Sequence, residues 1–263
     1  MKLIKTSAKR SLIIGDVHGD DKKLFALMEE AGKFDVQHYI FLGDLVDRGP
    51  NPHLVLRIVE HLVETEQCTV LMGNHDWKFV RHFRGQTKVS MKEEQQYTLK
   101  TLHKEDHKRF SKLFGQEVVG AWDPELKLML GHAAAGKPTR IFEKAAARLS
   151  NETKVHMEAA DLHSSAAIDL SKNLGSRFLY GITNGSQVDE RGYPVRLTIL
   201  KSETDSMHGW KFIHGHTHAK EFYPEGHDGV ICLDWACGEE GGRLAGLFVP
   251  EDGTISEDNL ILI

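Results

Sequence analysis

One pattern of apolar and polar positions recurs along this chain. A short run of Ile, Leu, Val, Met or Phe closes on glycine, and a side chain able to ligate a metal follows. Leu12-Ile13-Ile14 leads into Gly15-Asp16-Val17-His18, and Tyr39-Ile40-Phe41-Leu42 into Gly43-Asp44. Thr69-Val70-Leu71-Met72 leads into Gly73-Asn74-His75-Asp76, and Leu128-Met129-Leu130 into Gly131-His132. Lys211-Phe212-Ile213-His214 leads into Gly215-His216-Thr217-His218. Continuous apolar runs of this length predict buried strands. Glycine at the strand exit permits a tight turn and close approach of the backbone. Helical patterns fill the gaps, from Asp21 to Ala31, Pro52 to Glu64 and His75 to Phe83. In open α/β sheets the carboxyl ends of strands converge on one edge, so these stretches aim Asp, Asn and His at one place. A lone Gly-Asp is usually an ordinary turn; an ordered series that includes Asp-x-His and His-x-His is not.

The C-terminal third alternates apolar and polar residues over Val195 to Leu200, Val230 to Asp234, Leu244 to Val249 and Leu260 to Ile263. These segments are expected to be strands of a second sheet. Asp123-Pro124 predicts a hairpin between Glu117–Trp122 and Lys127–Leu130. Residues 136–178, rich in alanine and stopped by Gly175, read as an inserted helical cap.

With 263 residues, 40% hydrophobic and 27% charged, the chain suits one compact α/β domain over residues 1–263. No apolar run approaches the roughly 18 residues that span a bilayer. The start, Met1 to Ser7, lacks the apolar stretch of a secretory signal, so a cytoplasmic location with no membrane partner is expected. Cys68, Cys232 and Cys237 have no disulfide or zinc spacing and are expected to be reduced thiols. A net charge of -5 lacks the basic footprint of stable duplex nucleic-acid binding.

Carboxylate, imidazole and amide oxygen together suit manganese, iron, zinc or nickel better than calcium. Two such divalent ions, roughly 3.5–4 Å apart, can share a carboxylate and a hydroxide that attacks phosphorus. Asp44 at its strand end can bridge the pair. Arg48, in Gly43-Asp44-Leu45-Val46-Asp47-Arg48-Gly49-Pro50, offers a planar fork of donors to phosphate oxygens. Asp47 can orient His75, whose protonated ring then donates to the departing oxygen.

The ordered set of motifs, Gly-Asp-x-His-Gly, Gly-Asp-x-Val-Asp-Arg-Gly, Gly-Asn-His-Asp, Gly-His and Gly-His-Thr-His, resembles the calcineurin-like metallophosphoesterase superfamily. Its Asp-Arg-Gly-Pro ending places the resemblance in the branch of serine/threonine protein phosphatases and symmetrical diadenosine tetraphosphatases. The resemblance implies two mixed β-sheets packed face to face and flanked by helices, a four-layer sandwich. By position it implies Asp16, His18, Asp44 and His218 as ligands of a first metal. Asp44, Asn74, His132 and His216 are implied for a second, manganese before iron, zinc or nickel. It also implies His75 with Asp47 as the acid pair and Arg48 with Asn74 at the phosphate. A further similarity, through Trp77-Lys78-Phe79, Tyr180-Gly181, Asp189, Pro194-Val195-Arg196 and Leu233-Asp234, is to the phosphatase module of bacterial polynucleotide kinase-phosphatases. That similarity adds Arg196 and Asp234 as substrate-side residues. The chain departs from it by lacking a kinase phosphate-binding loop and by keeping His218, which suits diesterases.

The expected activity is hydrolysis of phosphomonoesters, and of diesters where His218 serves, in a nucleotide, an RNA end or a phosphoprotein. The alternatives are symmetrical hydrolysis of dinucleoside tetraphosphates and a metal-binding scaffold without turnover. Lys78, Arg81, His82, Arg84, Lys88 and Lys92, with Arg140, Lys144 and Arg148 four apart on a helix, form a candidate positive collar.

Overall fold

The structure, a computed structural model, describes residues 1–86, 89–153, 165–188, 194–197, 209–219 and 229–263, with the backbone alone at 149–153, 183–186 and 194–197. Two sheets carry the fold. In the first, β2 (Ser11–Ile14), β3 (His38–Phe41) and β4 (Cys68–Val70) run parallel, and β12 (Ala245–Val249) joins β2 antiparallel. β13 (Leu260–Leu262) completes the order β13-β12-β2-β3-β4. The second sheet has the order β11-β10-β6-β5-β1-β7. Its members are β11 (Val230–Cys232), β10 (Lys211–His214), β6 (Leu128–Gly131), β5 (Val118–Asp123), β1 (Lys2–Lys5) and β7 (Ala167–Asp169). β5 and β6 form the expected hairpin, with Asp123 accepting from the backbone N–H of Glu125 (2.9 Å) and Leu126 (3.0 Å).

Strand alternation builds the layers. Ile13, Ile40, Ala245, Leu247 and Val249 of one sheet meet Ala121, Leu128, Leu130, Ile213 and Ile231 of the other in an inter-sheet core. The neighbouring residues, such as Leu12, Ile14 and Phe41 or Leu3, Met129 and Phe212, turn outward under helices. α1 (Asp21–Ala31) and α2 (Pro52–Glu64) cover the first sheet; Leu27 lies over Gly246, where an added Cβ would come within 2.9 Å of it. α3 (Asn74–Phe83) packs Phe79 on Phe110 of α5 (Lys104–Phe114), with ring centroids 5.6 Å apart. α4 (Glu93–Thr101) precedes α5. The expected four-layer architecture is therefore the one observed, and no helix among the described residues is long and apolar enough to cross a membrane.

One expectation changes. The C-terminal strands do not form one second sheet. β12 joins β2 and carries β13 at the edge, β11 joins β10, and β9 (Pro194–Leu197) pairs, among the described residues, only with β8 (Ile182–Val188) in a ribbon of its own. Alternation marks a half-buried strand but carries no information about which neighbour it will pair with. Residues 198–200 lie outside the described residues.

In the segment 136–178, read above as an inserted helical cap, the described parts pack on the second sheet. α6 (Pro138–Thr153) sets Phe142 against Trp122 at 5.9 Å, β7 extends the second sheet beside β1, and α7 (Lys172–Tyr180) docks on β5. The reason is volume. Gly120 and Gly131 face each other across β5 and β6, and the Phe178 ring occupies the space where their side chains would be. Residues 154–164 lie outside the described residues.

Phe178 is fully buried, and its carbonyl accepts from Ala133 N (2.8 Å) just after His132. Phe178→Ala is expected to cost ~3–5 kcal/mol of unfolding free energy in urea melts, because two glycines cannot fill the cavity. A loss below ~1 kcal/mol would mean that α7 collapses onto the sheet without the ring.

Candidate metal centre

Six strand ends meet where the two sheets abut. β2, β3 and β4 deliver Asp16, Asp44 and Asn74; β6, β10 and β11 deliver His132, His216 and Asp234. The contact is made possible by missing side chains. An added Cβ at Gly215 would lie 2.0 Å from Asp16 Oδ1, and one at Gly73 would lie 2.1 Å from Asp44 Oδ1. The strand-end backbone then turns sharply. His18, Asp44, Asp47, Arg48 and His216 all take left-handed φ, between 48° and 74°. At non-glycine residues this costs on the order of 1 kcal/mol each, and the surrounding structure has to hold it in place.

Two groups of ligand atoms result. Asp16, His18 and Asp44 form one, and Asp44, His132 and His216 the other, each with its donor atoms within 4.8 Å of one another. Asp44 belongs to both. His18 Nδ1 donates to the Val46 carbonyl (2.9 Å), leaving its Nε2 lone pair directed toward Asp16 and Asp44, each 3.9 Å away. His132 Nδ1 likewise lies 3.2 Å from the Leu42 carbonyl, and its Nε2 is 3.4 Å from Asp44 Oδ2 and 3.0 Å from Asn74 Oδ1. Imidazoles whose second nitrogen is anchored in this way are preset in orientation and tautomer for a metal. Buried nitrogen and oxygen donors around a shared carboxylate fit transition-metal ions.

The electrostatics agree. Burial, then the Asp234 charge, pushes Asp16 well above the usual carboxylate range. Burial also opposes ionisation of Asp44, but His132 and His75 outweigh it and hold the group well below that range. Burial drops His18 to about 3, with Arg48 adding to the effect. Burial would lower His132 too, yet Asp44 and Asp16 raise it to about 9. Carboxylates and imidazoles crowded in this way are suited to divalent ions, whose binding releases their protons.

His75 stands at the rim of this group. Its Nδ1 lies 2.6 Å from Asp47 Oδ2 and its Nε2 4.0 Å from Asp44 Oδ2. Burial would lower its pKa, but Asp44 and the Asp47 hydrogen bond raise it. Arg48 Nη1 lies 3.2 Å from Glu239 Oε1.

His218 joins neither triad. Its Nε2 faces Asp234 (3.8 Å) and Glu239 (3.6 Å). Asp234 is buried beside it and is raised in pKa chiefly by burial. Arg196 pairs with Thr183 on the β8–β9 ribbon; its side chain, like Asp189 and Lys88, lies outside the described residues. The α3 part of the positive collar is largely consumed internally. Lys78 donates to Gln95 (2.8 Å), Arg81 to Gln86 (2.9 Å) and Arg84 to Glu117 (2.5 Å).

Sequence reasoning missed four residues here. Asp76 accepts from the backbone N–H of Asp44 (2.7 Å), Leu45 (3.0 Å) and Gly73 (3.0 Å), clamping the β3 and β4 exits together. Its pKa rises to about 7, first through burial and then through Asp44. Thr98 Oγ1 donates to Asp47 Oδ1 (2.7 Å) and Gln95 Nε2 to Asp47 Oδ2 (2.8 Å), so α4 holds the partner of His75. Glu239 faces both Arg48 and His218. Only Asp76 carried a signal, as the aspartate ending Gly-Asn-His-Asp.

Fold and site together define a metal-dependent phosphoesterase built between two sheets. The chain belongs to the calcineurin-like phosphoesterase family, whose profile matches residues 9–220. It is 28% identical over 261 residues to bis(5'-nucleosyl)-tetraphosphatase PrpE (asymmetrical) of Oceanobacillus iheyensis, covering 93% of this chain and 90% of that protein. To the protein of the same name from Halalkalibacterium halodurans it is 34% identical over 137 residues, 46% of this chain and 55% of that protein. That second alignment thus spans about half of its relative. A protein serine/threonine phosphatase from Saccharomyces cerevisiae superposes with a TM-score of 0.55 at 16% identity, over 96% of this chain and 78% of that one, a likeness of fold alone. The chain is therefore a hydrolytic enzyme, and the scaffold alternative is set aside. Relatives named as asymmetrical do not favour the symmetrical alternative.

Gly215→Ala and Gly73→Ala remove no ligand, yet each drives a methyl group into a ligand carboxylate. Both are expected to lose bound metal, by elemental analysis, together with activity. Retention of full metal content in both would contradict the crowding described here. Thr98→Val, which leaves the ligand triads untouched, should keep its metal but lower kcat about tenfold, the loss of roughly one hydrogen bond to a charged group.

Proposed function

We propose that this enzyme hydrolyses nucleoside polyphosphates of the dinucleoside tetraphosphate type, cutting them asymmetrically, with two divalent ions of which manganese is the first candidate. The observation that carries the hydrolytic part is the pair of ligand triads sharing Asp44, with the His75–Asp47 pair beside them. The substrate class rests on the names of relatives aligned over nearly the whole chain.

Bound at the two triads, such ions would supply Lewis acidity toward the phosphoryl oxygens and the attacking water. Asp16, His18, Asp44, Asn74, His132 and His216 are the residues proposed to hold them. His218, drawn to Asp234 and Glu239, has to rotate to take part or else serves the substrate with Asp234. The other work falls to the chain itself. Asp47 stays ionised, since His75, Thr98 and Gln95 overcome the effect of burial and lower its pKa. It keeps the His75 Nδ1 proton in place, so that Nε2 carries the proton given to the leaving oxygen. Arg48, released from Glu239, presents its fork to the phosphate being attacked. Exclusion of water from these buried carboxylates strengthens every one of these contacts.

Product analysis tests the substrate class. Water added at a terminal phosphorus of a dinucleoside tetraphosphate yields one nucleoside triphosphate and one monophosphate. Cleavage of the central P–O–P bridge yields two diphosphates, which would overturn the asymmetrical reading. Turnover of phosphopeptides alone would overturn the nucleotide reading.

His75→Ala is expected to slow esters with poor leaving groups at least tenfold more than p-nitrophenyl phosphate, because only the former need the proton. Since the His75 pKa is raised, the wild-type rate on poor leaving groups should persist to higher pH and fall as His75 deprotonates. That alkaline limb should be missing from the variant; equal slowing of both ester types would remove His75 from the acid role.

A further inference from the structure

A cleft of about 60 Å³ opens at the start of α6, next to the β6 exit that carries His132. Lys137, Arg140, Lys144 and Arg177 line it, and none of its lining residues among the described ones is acidic. This is an unusual concentration of positive charge in a chain of net charge -5. Arg140 and Lys144 are one helical turn apart, which sets both charged heads on one face of α6. Lys137 is 8% exposed, so its charge is held against the cleft wall and not spread into solvent. Arg177 comes from α7, which approaches because Phe178, the next residue, is seated on Gly120 and Gly131. The side chains of Lys144 and Arg177 enter no ion pair among the described residues. Arg148, one turn further along α6, turns away and reaches the Asp169 carbonyl at 3.4 Å.

The chain also ties the cleft to the metal centre. Ala135 lines it and lies three residues after His132, so their Cα atoms are at most ~11 Å apart. Gly136, at φ 118°, turns the backbone from one site into the other. Guanidinium and ammonium groups converging in a partly enclosed space are suited to phosphate oxygens.

We propose that this cleft is a second anion subsite, which binds the distal phosphates of a nucleoside polyphosphate while the phosphate being attacked sits at the Asp44 centre. It rests on the substrate class proposed above and explains how a long polyphosphate is told from a simple monoester. The binding energy gained there acts on the part of the substrate away from the reacting bond.

The test compares two substrates on the manganese-loaded full chain. Lys144→Gln with Arg177→Gln should raise the ratio of KM for a dinucleoside tetraphosphate to KM for p-nitrophenyl phosphate about tenfold, as expected for losing charge-assisted contacts. Arg148→Gln removes the same charge from the same helix and should leave that ratio where it is. An unchanged ratio in the double variant, or an equal shift in Arg148→Gln, overturns the subsite. If the wild type hydrolyses p-nitrophenyl phosphate but no nucleoside polyphosphate, the substrate class has failed, and calorimetric titration with inorganic tripolyphosphate then reads the cleft directly. A dissociation constant weakened about tenfold in the double variant supports the subsite, and an equal one overturns it.

Discussion

Asp16, Asp44, Asp47, Asp76 and Asp234 are each at most 2% exposed, and they sit close to one another between two sheets. Buried carboxylates repel one another and lack the water that would stabilise their charge. Everything around them can be understood as compensation. The N-terminus of α3 points at Asp44, whose Oδ1 accepts from His75 N at 2.9 Å. The backbone of His216 donates to both oxygens of Asp16, at 3.1 and 3.3 Å. Histidines fill the remaining directions. What the protein alone leaves unbalanced is the charge that divalent cations carry.

The same constraint explains why the backbone is strained where it is. Carboxylates from opposing sheets can share cations only if the strand ends come closer than side chains normally allow. Gly73 and Gly215 open that space, and left-handed residues re-aim the ligands into it. The two hydrophobic layers under the sheets provide the stability that offsets this strain. The metal site is thus the seam of the fold, and helices far from it, such as α4 and α7, matter because they fix one of its edges.

Charge is divided between two regions on the surface of this seam. On α3 the cations are mostly spent on internal partners, while those at the start of α6 line a cleft. A uniform positive collar would draw in any anion. The proposed subsite, a localised cleft beside the centre, would instead favour anions long enough to reach both.

The residues themselves determined the strand-glycine-ligand pattern, the helices at 21–31 and 52–64 and the chemistry of the centre, because buried strands and metal donors each require particular residue types at particular spacings. The sequence could not show that β12 crosses to sit beside β2, that residues 138–153 and 172–180 flank a sheet, or that Thr98 and Gln95 hold Asp47. Those outcomes depend on pairing and volume between segments far apart in the chain, such as Phe178 over Gly120 and Gly131, and local pattern contains neither. His218 shows the division most clearly: its motif names it as a metal donor, and the tertiary structure turns it toward Asp234 and Glu239.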